Sequence, residues 1–216
     1  MKKIVYSLIF INLFQLFALS ISDFSLKYEK NNKYYNFYDD PAILFDIFKQ
    51  KNTLEDIGIG YSKDYSFTDC FFTVLSREFE KGFIDDFTLN QLEHEFKVKN
   101  PNCYYEIYYF EAYSNFSTIR GISIGDDINK VIEKYPESVL YKNNNRYKWE
   151  KADCYFETKI KKPKKLSDIG YIVLESANWQ YNRSFDVDCP MHYELVFVIK
   201  DCKVKSIVMQ YVLDAI

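Results

Sequence analysis

The alternation of apolar and polar residues along the chain predicts two short helices, each followed by several strands. The first helix begins near Pro41, which suits a first helical turn, and Asp40 can accept hydrogen bonds from the free amides there. The apolar residues of this helix recur at helical spacing and are Ile43, Leu44, Ile47 and Phe48.

The second helix lies in the segment RGISIGDDINKVIEKYP, residues 120–136. Residues 121–125 alternate in the manner of a strand that ends in a tight turn at Gly125, and Asp126 or Asp127 can cap the helix. The helix then shows one apolar face at positions i, i+3, i+4 and i+7, formed by Ile128, Val131, Ile132 and Tyr135. Pro136 ends the helix. Only Arg120 lacks a local structural role, so we expect it to make a long-range ion pair or a partner contact.

Strand-like runs follow each helix. In the first half these runs are residues 67–80, 92–98 and 103–113. In the second half they are residues 138–142, 146–160, 169–179, 192–199 and 203–213. The last two runs are separated by only three residues, which predicts a hairpin.

These elements predict an α+β fold in which short helices pack on antiparallel β-sheet. We divide the chain into a first half, residues 41–115, and a second half, residues 116–216. Because each half contains a helix and then antiparallel strands, the two halves are candidates for a structural repeat, with one undivided domain as the alternative. Residues 21–40 are polar, aromatic and irregular, and we expect a flexible lead-in there.

Residues 1–20 have the order of a secretory signal peptide. Two lysines precede an apolar run, Ile4–Leu19, and Ala18, Ser20 and Ser22 supply small residues for cleavage. The run approaches the lower limit of about 17 residues for a membrane-spanning helix, so an uncleaved anchor is the alternative. We expect an exported protein, periplasmic or extracellular, that contacts the membrane only through this segment.

Charge and composition narrow the choice of partner. Removal of the signal segment leaves 26 basic and 31 acidic residues, a net charge of −5. Nucleic-acid-binding proteins usually carry a basic excess, so we expect no nucleic-acid partner. Aromatic residues crowd the strand at Tyr104–Tyr113 and occupy both of its faces. One of those faces could serve as a recognition surface, and core packing on both faces is the alternative.

The five cysteines leave the redox state open. They are Cys70, Cys103, Cys154, Cys189 and Cys202. An odd number leaves at least one thiol unpaired or paired outside the chain, and buried free thiols are as consistent with the sequence as disulfides. Their spacing does not match a zinc site built from two CxxC pairs.

The sequence does not identify a catalytic site. His94 and His192 have no recognisable catalytic partners, and nucleophile-elbow and phosphate-loop motifs are missing. Paired acids occur at 39–40, 85–86, 126–127 and 186/188. The first and third pairs suit helix caps, and the last lacks the glycine and distal glutamate of a calcium loop. We therefore assign no catalytic residue, no cofactor and no metal ligand.

Two further motifs have simple interpretations. The lysine-rich segment 159–165 predicts a solvated loop, with contact to an anionic surface as the alternative. Asn115 and Asn182 begin glycosylation sequons, which matter only in a eukaryotic secretory host.

The segment STIRGISIGDDINKVIEKYP, Ser117–Pro136, resembles a segment of small exported bacterial proteins. In those proteins a strand delivers an Arg-Gly-Ile-x-Ile-Gly-Asp turn to a helix that ends in Lys-Tyr-Gly or Lys-Tyr-Pro. The wider family is similar to the BamE (SmpA/OmlA) outer-membrane lipoproteins and to the β-lactamase inhibitor protein, which share a helix-on-sheet unit that is sometimes duplicated. The resemblance implies an exported, noncatalytic protein that works by binding. The resemblance does not carry over a β-lactamase-binding role, because no inhibitory loop can be matched. It does not carry over outer-membrane assembly either, because the lipid-attachment cysteine is missing.

We therefore expect an exported, noncatalytic binding or envelope-associated protein whose partner is an envelope or secreted protein. The alternative is an exported hydrolase of cell-wall or other polymer substrates, acting through carboxylates that the sequence does not single out. An aromatic sheet face open to the surface would favour the binding protein, whereas acids that converge in a deep cleft would favour the hydrolase.

Overall fold

The computed structural model describes most of the chain after residue 20. The described residues are 21–37, 39–51, 54, 57, 61–78, 103–142, 159–160, 163–175 and 191–213. They form two α-helices and ten strands in two antiparallel sheets. The predicted α+β class is confirmed at this level, although sheet predominates.

The helices are α1 (Ala42–Phe48) and α2 (Ile128–Lys134). Both lie where the sequence predicts them, and each is only two turns long. The carboxylate of Asp40 accepts a hydrogen bond from the amide of Ala42 at 2.8 Å, and Pro41 precedes the first helical residue. In α2 the capping residue is Asp127, whose side chain accepts from the amide of Asn129.

A seven-stranded sheet in the order β3-β4-β5-β10-β9-β8-β7 forms the main layer. Its strands are β3 (Ser62–Ser66), β4 (Cys70–Glu78), β5 (Cys103–Ala112), β7 (Val139–Lys142), β8 (Ile169–Glu175), β9 (Met191–Lys200) and β10 (Lys203–Leu213). Strands β3 to β5 form one antiparallel meander and β7 to β10 a second, and the two join where β5 pairs with β10.

Six predicted strands match strands of the seven-stranded sheet over their described residues, and one strand of this sheet was not predicted. The predicted strands at 67–80, 103–113, 138–142, 169–179, 192–199 and 203–213 correspond to β4, β5, β7, β8, β9 and β10. Strand β3 was missed because its residues are mostly polar and exposed at the sheet edge. The predicted strand at 92–98 and nearly all of that at 146–160 lie outside the described residues.

The segment that we expected to be a flexible lead-in is instead part of the fold. Described residues within 21–40 form β1 (Ser25–Tyr28) and β2 (Lys33–Asn36), and β1 also pairs with β6 (Phe116–Thr118). The prediction is wrong because Leu26 and Tyr35 are fully buried in the core. Strands of four residues are too short to show a clear alternation. In addition, β6, one of the two strands that pair with β1, lies far along the chain.

The main core lies between the seven-stranded sheet and a layer made of the small sheet and the two helices. Tyr35 of the small sheet stacks on Phe110 of β5, with ring centroids 6.1 Å apart, and Tyr135 beside α2 lies 4.9 Å from Phe197 of β9. The predicted face of α2 is confirmed: three of its four residues are fully buried, and Ile132 is partly buried.

The predicted hairpin between β9 and β10 is also confirmed. Lys200 pairs with Lys203, so the loop consists of Asp201 and Cys202. These two residues have φ angles of 53° and 58°, as the two central residues of a type I′ turn require. None of the described helices is long and apolar enough to cross a membrane.

Candidate functional site

The aromatic segment of β5 divides its side chains between two faces of the seven-stranded sheet. Ile107, Phe110 and Ala112 are buried in the main core. Tyr109 and Glu111 lie on the opposite side, which we call the outer face. The strand therefore serves both purposes that the sequence left open, with core packing on one side and polar aromatic groups on the other.

The middle of the outer face is a small second core. Val208, Val196 and Val173 are fully buried side by side on β10, β9 and β8, where the strand register places them in one row. Tyr141 and Tyr171 belong to the same cluster and are buried to a similar extent. This apolar row meets Glu111 on β5, which is the direct cross-strand neighbour of Val208.

At the β4–β5 side the outer face becomes polar around Glu111. Tyr109 and Tyr113 donate their hydroxyl hydrogens to Oε2 of Glu111 at 2.8 and 3.2 Å, and Ser206 donates to Oε1 at 2.7 Å. Phe71 is the cross-strand neighbour of Glu111 on β4, and its ring lies 6.0 Å from that of Tyr109. We call these five residues, Phe71, Tyr109, Glu111, Tyr113 and Ser206, the Glu111 patch.

The Glu111 patch reaches the surface of the protein. The side chain of Tyr113 is 43% exposed, while Phe71, Tyr109 and Glu111 are half-buried. Burial, together with the nearby Glu111 carboxylate, raises the pKa of Tyr113 to about 12. The phenol therefore stays protonated near neutral pH and keeps donating to Glu111. The patch presents aromatic rings held in fixed positions around one accessible carboxylate.

A second pair of acids lies further along the outer face. Glu194 on β9 is directly opposite Glu175 on β8, and Glu194 is 4% exposed. Gln210 donates to Glu194 at 2.5 Å, and the hydroxyl of Tyr141 lies 3.5 Å from Glu175. Like charges directly opposite each other on a sheet are unfavourable, and the amide donor of Gln210 offsets part of that cost.

Asp69 forms a separate, buried cluster at the turn before β4. Its carboxylate accepts hydrogen bonds from Tyr28, Lys30, Ser114 and Asn115 at 2.5–2.7 Å. Burial alone raises the pKa of Asp69, but these four donors outweigh it and hold the pKa well below its usual value. Because the donors come from β1, from the turn between β1 and β2 and from the turn between β5 and β6, the carboxylate links both sheets.

Arg120 makes the long-range ion pair that we expected. Its guanidinium binds both oxygens of Asp23 at 2.7 and 2.9 Å, although the two residues are 97 positions apart. It also contacts Glu137 at 2.6 Å and lies 4.5 Å from the centre of the Tyr135 ring. Asp23 is 4% exposed, so the pair is largely shielded from water and joins the segment before β1 to the turn that follows β6.

The turn before α2 is held to the β9–β10 hairpin by main-chain hydrogen bonds. The amide of Gly125 donates to the carbonyl of Val204 at 2.8 Å, and the amide of Ile128 donates to Cys202 at 2.9 Å. Gly125 has a φ of 92°, a conformation that side-chain-bearing residues resist. Asp126 does not cap the helix; it accepts from the amide of Ser123 and from Lys130.

The strand expected to run through residues 121–125 is not formed. After β6 the chain reverses at Gly121, whose φ is 78°, and Ser123 makes only an isolated bridge to Ser117. The hydroxyl of Thr118 accepts from the amide of Ile122 within this reversal. The alternating pattern therefore marks a tight turn that returns onto β6 rather than a continued strand.

The remaining candidate residues fall into two groups. Several lie outside the described residues: His94, Asp85, Asp86, Asn182, Asp186 and Asp188. His192 lies on β9, but its side chain is outside the described part. Asn115 donates to Asp69 and has a φ of 56°, so the first sequon belongs to a structural turn. Within the lysine-rich segment, Lys159 lies 6.0 Å from the ring of Tyr141.

Two cysteines have described side chains, and both are free thiols. Cys70 is buried in the main core, where desolvation raises the pKa of its thiol far above the usual value. Cys202 is half-buried in the β9–β10 turn. Neither fits a surface disulfide framework, and the side chains of the other three cysteines lie outside the described residues.

Sequence reasoning singled out the β5 aromatic cluster but missed Glu111 and Ser206. The alternation Tyr109-Glu111-Tyr113 could have indicated the acid, because every second residue of a strand shares a face. Ser206 is 95 residues away from Glu111, and no local pattern indicates it. Tertiary pairing of β5 with β10 brings the two together.

Fold and site together define an α+β protein with a polar, aromatic surface patch. Among the described residues, no group of three or more His, Cys, Asp or Glu side chains could hold a metal ion. No protein-family model matches the chain, and searches of the curated proteins and of the solved structures find no match. The resemblance of residues 117–136 to BamE-like proteins therefore stays a prediction.

Proposed function

We propose that the protein is an exported, noncatalytic binding protein whose Glu111 patch contacts an envelope or secreted protein. The observation that carries this proposal is the position of Tyr109 and Tyr113 on the outer face, where their hydroxyls are fixed on Glu111 and the ring of Tyr113 reaches the surface. Tyrosines fixed in this way lose little conformational entropy on binding, and tyrosine is enriched at protein interfaces.

The order of the helices and strands also supports this proposal. Helix α1 is followed by the meander β3-β4-β5, and α2 is followed by the meander β7-β8-β9-β10. The last strands of the two meanders pair with each other, and this arrangement supports a duplicated BamE-like unit. In such a unit the helices cover one face of the sheet, and a partner would contact the part of the other face that reaches the surface, around Tyr113.

Four of the described aspartates have structural roles that do not favour the hydrolase alternative. Asp69 is held by four donors, and Asp23 is held by Arg120 in a two-point ion pair. Asp126 and Asp127 hold the turn and cap α2. Each of these four carboxylates therefore has a structural role.

Photocrosslinking tests the proposal. A photoreactive phenylalanine analogue at Tyr113 should form a defined protein adduct in the native envelope, and the same analogue at Tyr61 should not. Tyr61 is 71% exposed, more than the 43% of Tyr113, and lies outside the patch, so it shows whether exposure alone gives an adduct. Equal adducts at both positions, or none at Tyr113, would show that the patch is not the binding surface.

Export itself is tested by N-terminal sequencing of the protein recovered from its native host. We expect the mature chain to begin after about Ser20, because residues 1–20 have the order of a signal peptide and Asp23 is already held in an ion pair with Arg120. A chain that still begins at Met1 would contradict cleavage.

A further inference from the structure

We propose that the Glu111 patch binds a cationic side chain, lysine or arginine, of the partner protein. This inference rests on the proposed binding function and specifies its chemistry. Its starting point is the set of groups around Glu111. All three hydrogen-bond donors to this carboxylate are neutral hydroxyls. Among the described residues, no lysine or arginine pairs with it.

The Asp69 cluster shows how the same protein completes a similar arrangement. Asp69 accepts from a tyrosine hydroxyl, Tyr28, and from a serine hydroxyl, Ser114. It then binds the ammonium group of Lys30 at 2.6 Å, and that ammonium lies 5.8 Å from the centre of the Tyr28 ring. Glu111 has the corresponding tyrosine and serine donors, but none of the lysines and arginines in the described part of the chain pairs with it.

Arg120 provides a second internal example. Its guanidinium binds the Asp23 carboxylate and lies 4.5 Å from the centre of the Tyr135 ring. A cation near a tyrosine ring gains from the negative charge of the ring face in addition to the ion pair. In both examples the cation therefore has a carboxylate and an aromatic ring as partners, and the Glu111 patch offers the same two groups at the surface.

The neighbours of Glu111 strengthen the expected attraction. Its cross-strand neighbours are Phe71 and Val208, and both are apolar. Because these side chains keep water from two sides of the carboxylate, a charge pair formed there is less screened than one in bulk water. The partly exposed ring of Tyr113 leaves the approach from solvent open.

Substitution with a matched control tests this inference. Glu111→Gln keeps the shape of the side chain and removes the charge. Its amide oxygen can still accept from Tyr109 and Tyr113, and its NH2 group can donate to the hydroxyl oxygen of Ser206. Asp64→Asn removes one charge from an exposed acid on β3 that accepts from Thr73 at 2.7 Å. Both variants change the net charge equally, so a difference between them reports the local site. Melting temperatures of both variants should stay near the wild-type value.

The probe is a short peptide of alternating glycine and lysine, with a glycine–serine peptide as control, titrated by NMR at constant ionic strength. We expect Glu111→Gln to weaken binding of the lysine peptide about three- to tenfold, the range for a half-exposed charge pair with a cation–π contact. Asp64→Asn should change it less than about twofold. Equal effects of the two variants, or unchanged binding in Glu111→Gln, would overturn the inference.

Two further measurements separate this inference from the proposed function. Tyr113→Phe keeps the ring and should retain most of the peptide affinity, whereas Tyr113→Ala should lose it. If the Tyr113 photoadduct forms equally well in Glu111→Gln, the patch binds a protein without recognising a cation, and the inference alone fails. If wild type gives no adduct at Tyr113, the proposed function fails.

Discussion

Replacement of Asp69 by asparagine should destabilise the protein strongly, because this carboxylate joins the two sheets. Asparagine keeps one oxygen acceptor, which can still serve Ser114 and Asn115. Its amide group, however, faces the hydroxyl of Tyr28 and the ammonium of Lys30, which both bind Oδ2 of Asp69 in the wild type. The substitution therefore removes two hydrogen bonds to a charged acceptor and leaves the shape of the side chain nearly unchanged.

The expected loss follows from the exposure of each donor. The hydroxyl bond of Tyr28 is buried, and a hydrogen bond to a charged group contributes about 1.5–3 kcal/mol. The side chain of Lys30 is 53% exposed, so water screens its ion pair and the pair adds little to stability. The free energy of unfolding should therefore fall by about 1.5–3 kcal/mol, nearly all of it from the bond of Tyr28. For a chain of this size the melting temperature should fall by about 3–12 °C.

The pH dependence gives a second, independent readout of the same carboxylate. The folded-state pKa of Asp69 is depressed below the unfolded value of about 3.9. Its stabilising effect is therefore complete well above that value and is lost as the pH falls through the folded pKa. The difference in unfolding free energy between wild type and Asp69→Asn should be largest above about pH 5 and should shrink below about pH 4.

Urea denaturation followed by circular dichroism, repeated across this pH range, measures both effects. Asp64→Asn is the control, since it removes an exposed aspartate that accepts one hydroxyl bond, and it should change stability by less than about 0.5 kcal/mol. A loss below 1 kcal/mol for Asp69→Asn would refute the reasoning. So would a difference from wild type that stays constant down to pH 3.

Three further substitutions test the segment around α2, each by urea denaturation. Arg120→Lys keeps the charge but loses the two-point contact with Asp23, and should cost about 1–3 kcal/mol; a neutral result would mean that the pair adds nothing. Gly125→Ala should cost about 1–2 kcal/mol through the backbone alone, since φ is 92° and an added methyl group would meet no atom within 4 Å. Ile128→Ala should cost about 2–5 kcal/mol because Ile128 is fully buried, and a loss below 1 kcal/mol would contradict its place in the core.

Sequence patterns predicted the elements whose signals are local. The caps and apolar spacing located α1 and α2, and short spacing predicted the β9–β10 hairpin. The hairpin turn formed without glycine, because Asp201 adopts the left-handed conformation more readily than most side-chain-bearing residues and Cys202 follows it. In each of these elements the residues that determine the structure lie within a few positions of one another.

Features that depend on distant pairing could not be predicted. Strand β1 has only four residues, with Lys27 between the apolar Leu26 and Tyr28, so its sequence pattern is too short to identify. Its burial becomes clear only when β6, about ninety residues later, pairs with it. Ser206 joins the Glu111 patch for the same reason. The sequence does predict that β5 has two aromatic faces, but only the register with β4 and β10 shows which tyrosines lie on the outer face.

The segment at residues 120–136 carries the clearest sequence motif, yet its side chains and amides are committed to contacts within the protein. Arg120 binds Asp23 near the start of the folded chain, and Gly125 bonds to Val204 at the start of β10. The apolar face of α2 is directed into the main core. A motif with these three connections is constrained by folding, whatever the function of the protein.

The clearest sequence motif therefore predicts structure and not a binding site. Candidate binding residues are better sought where side chains make fewer contacts within the fold. The outer face around Glu111 is such a place, because Tyr113 contributes little to the core and still keeps a fixed position.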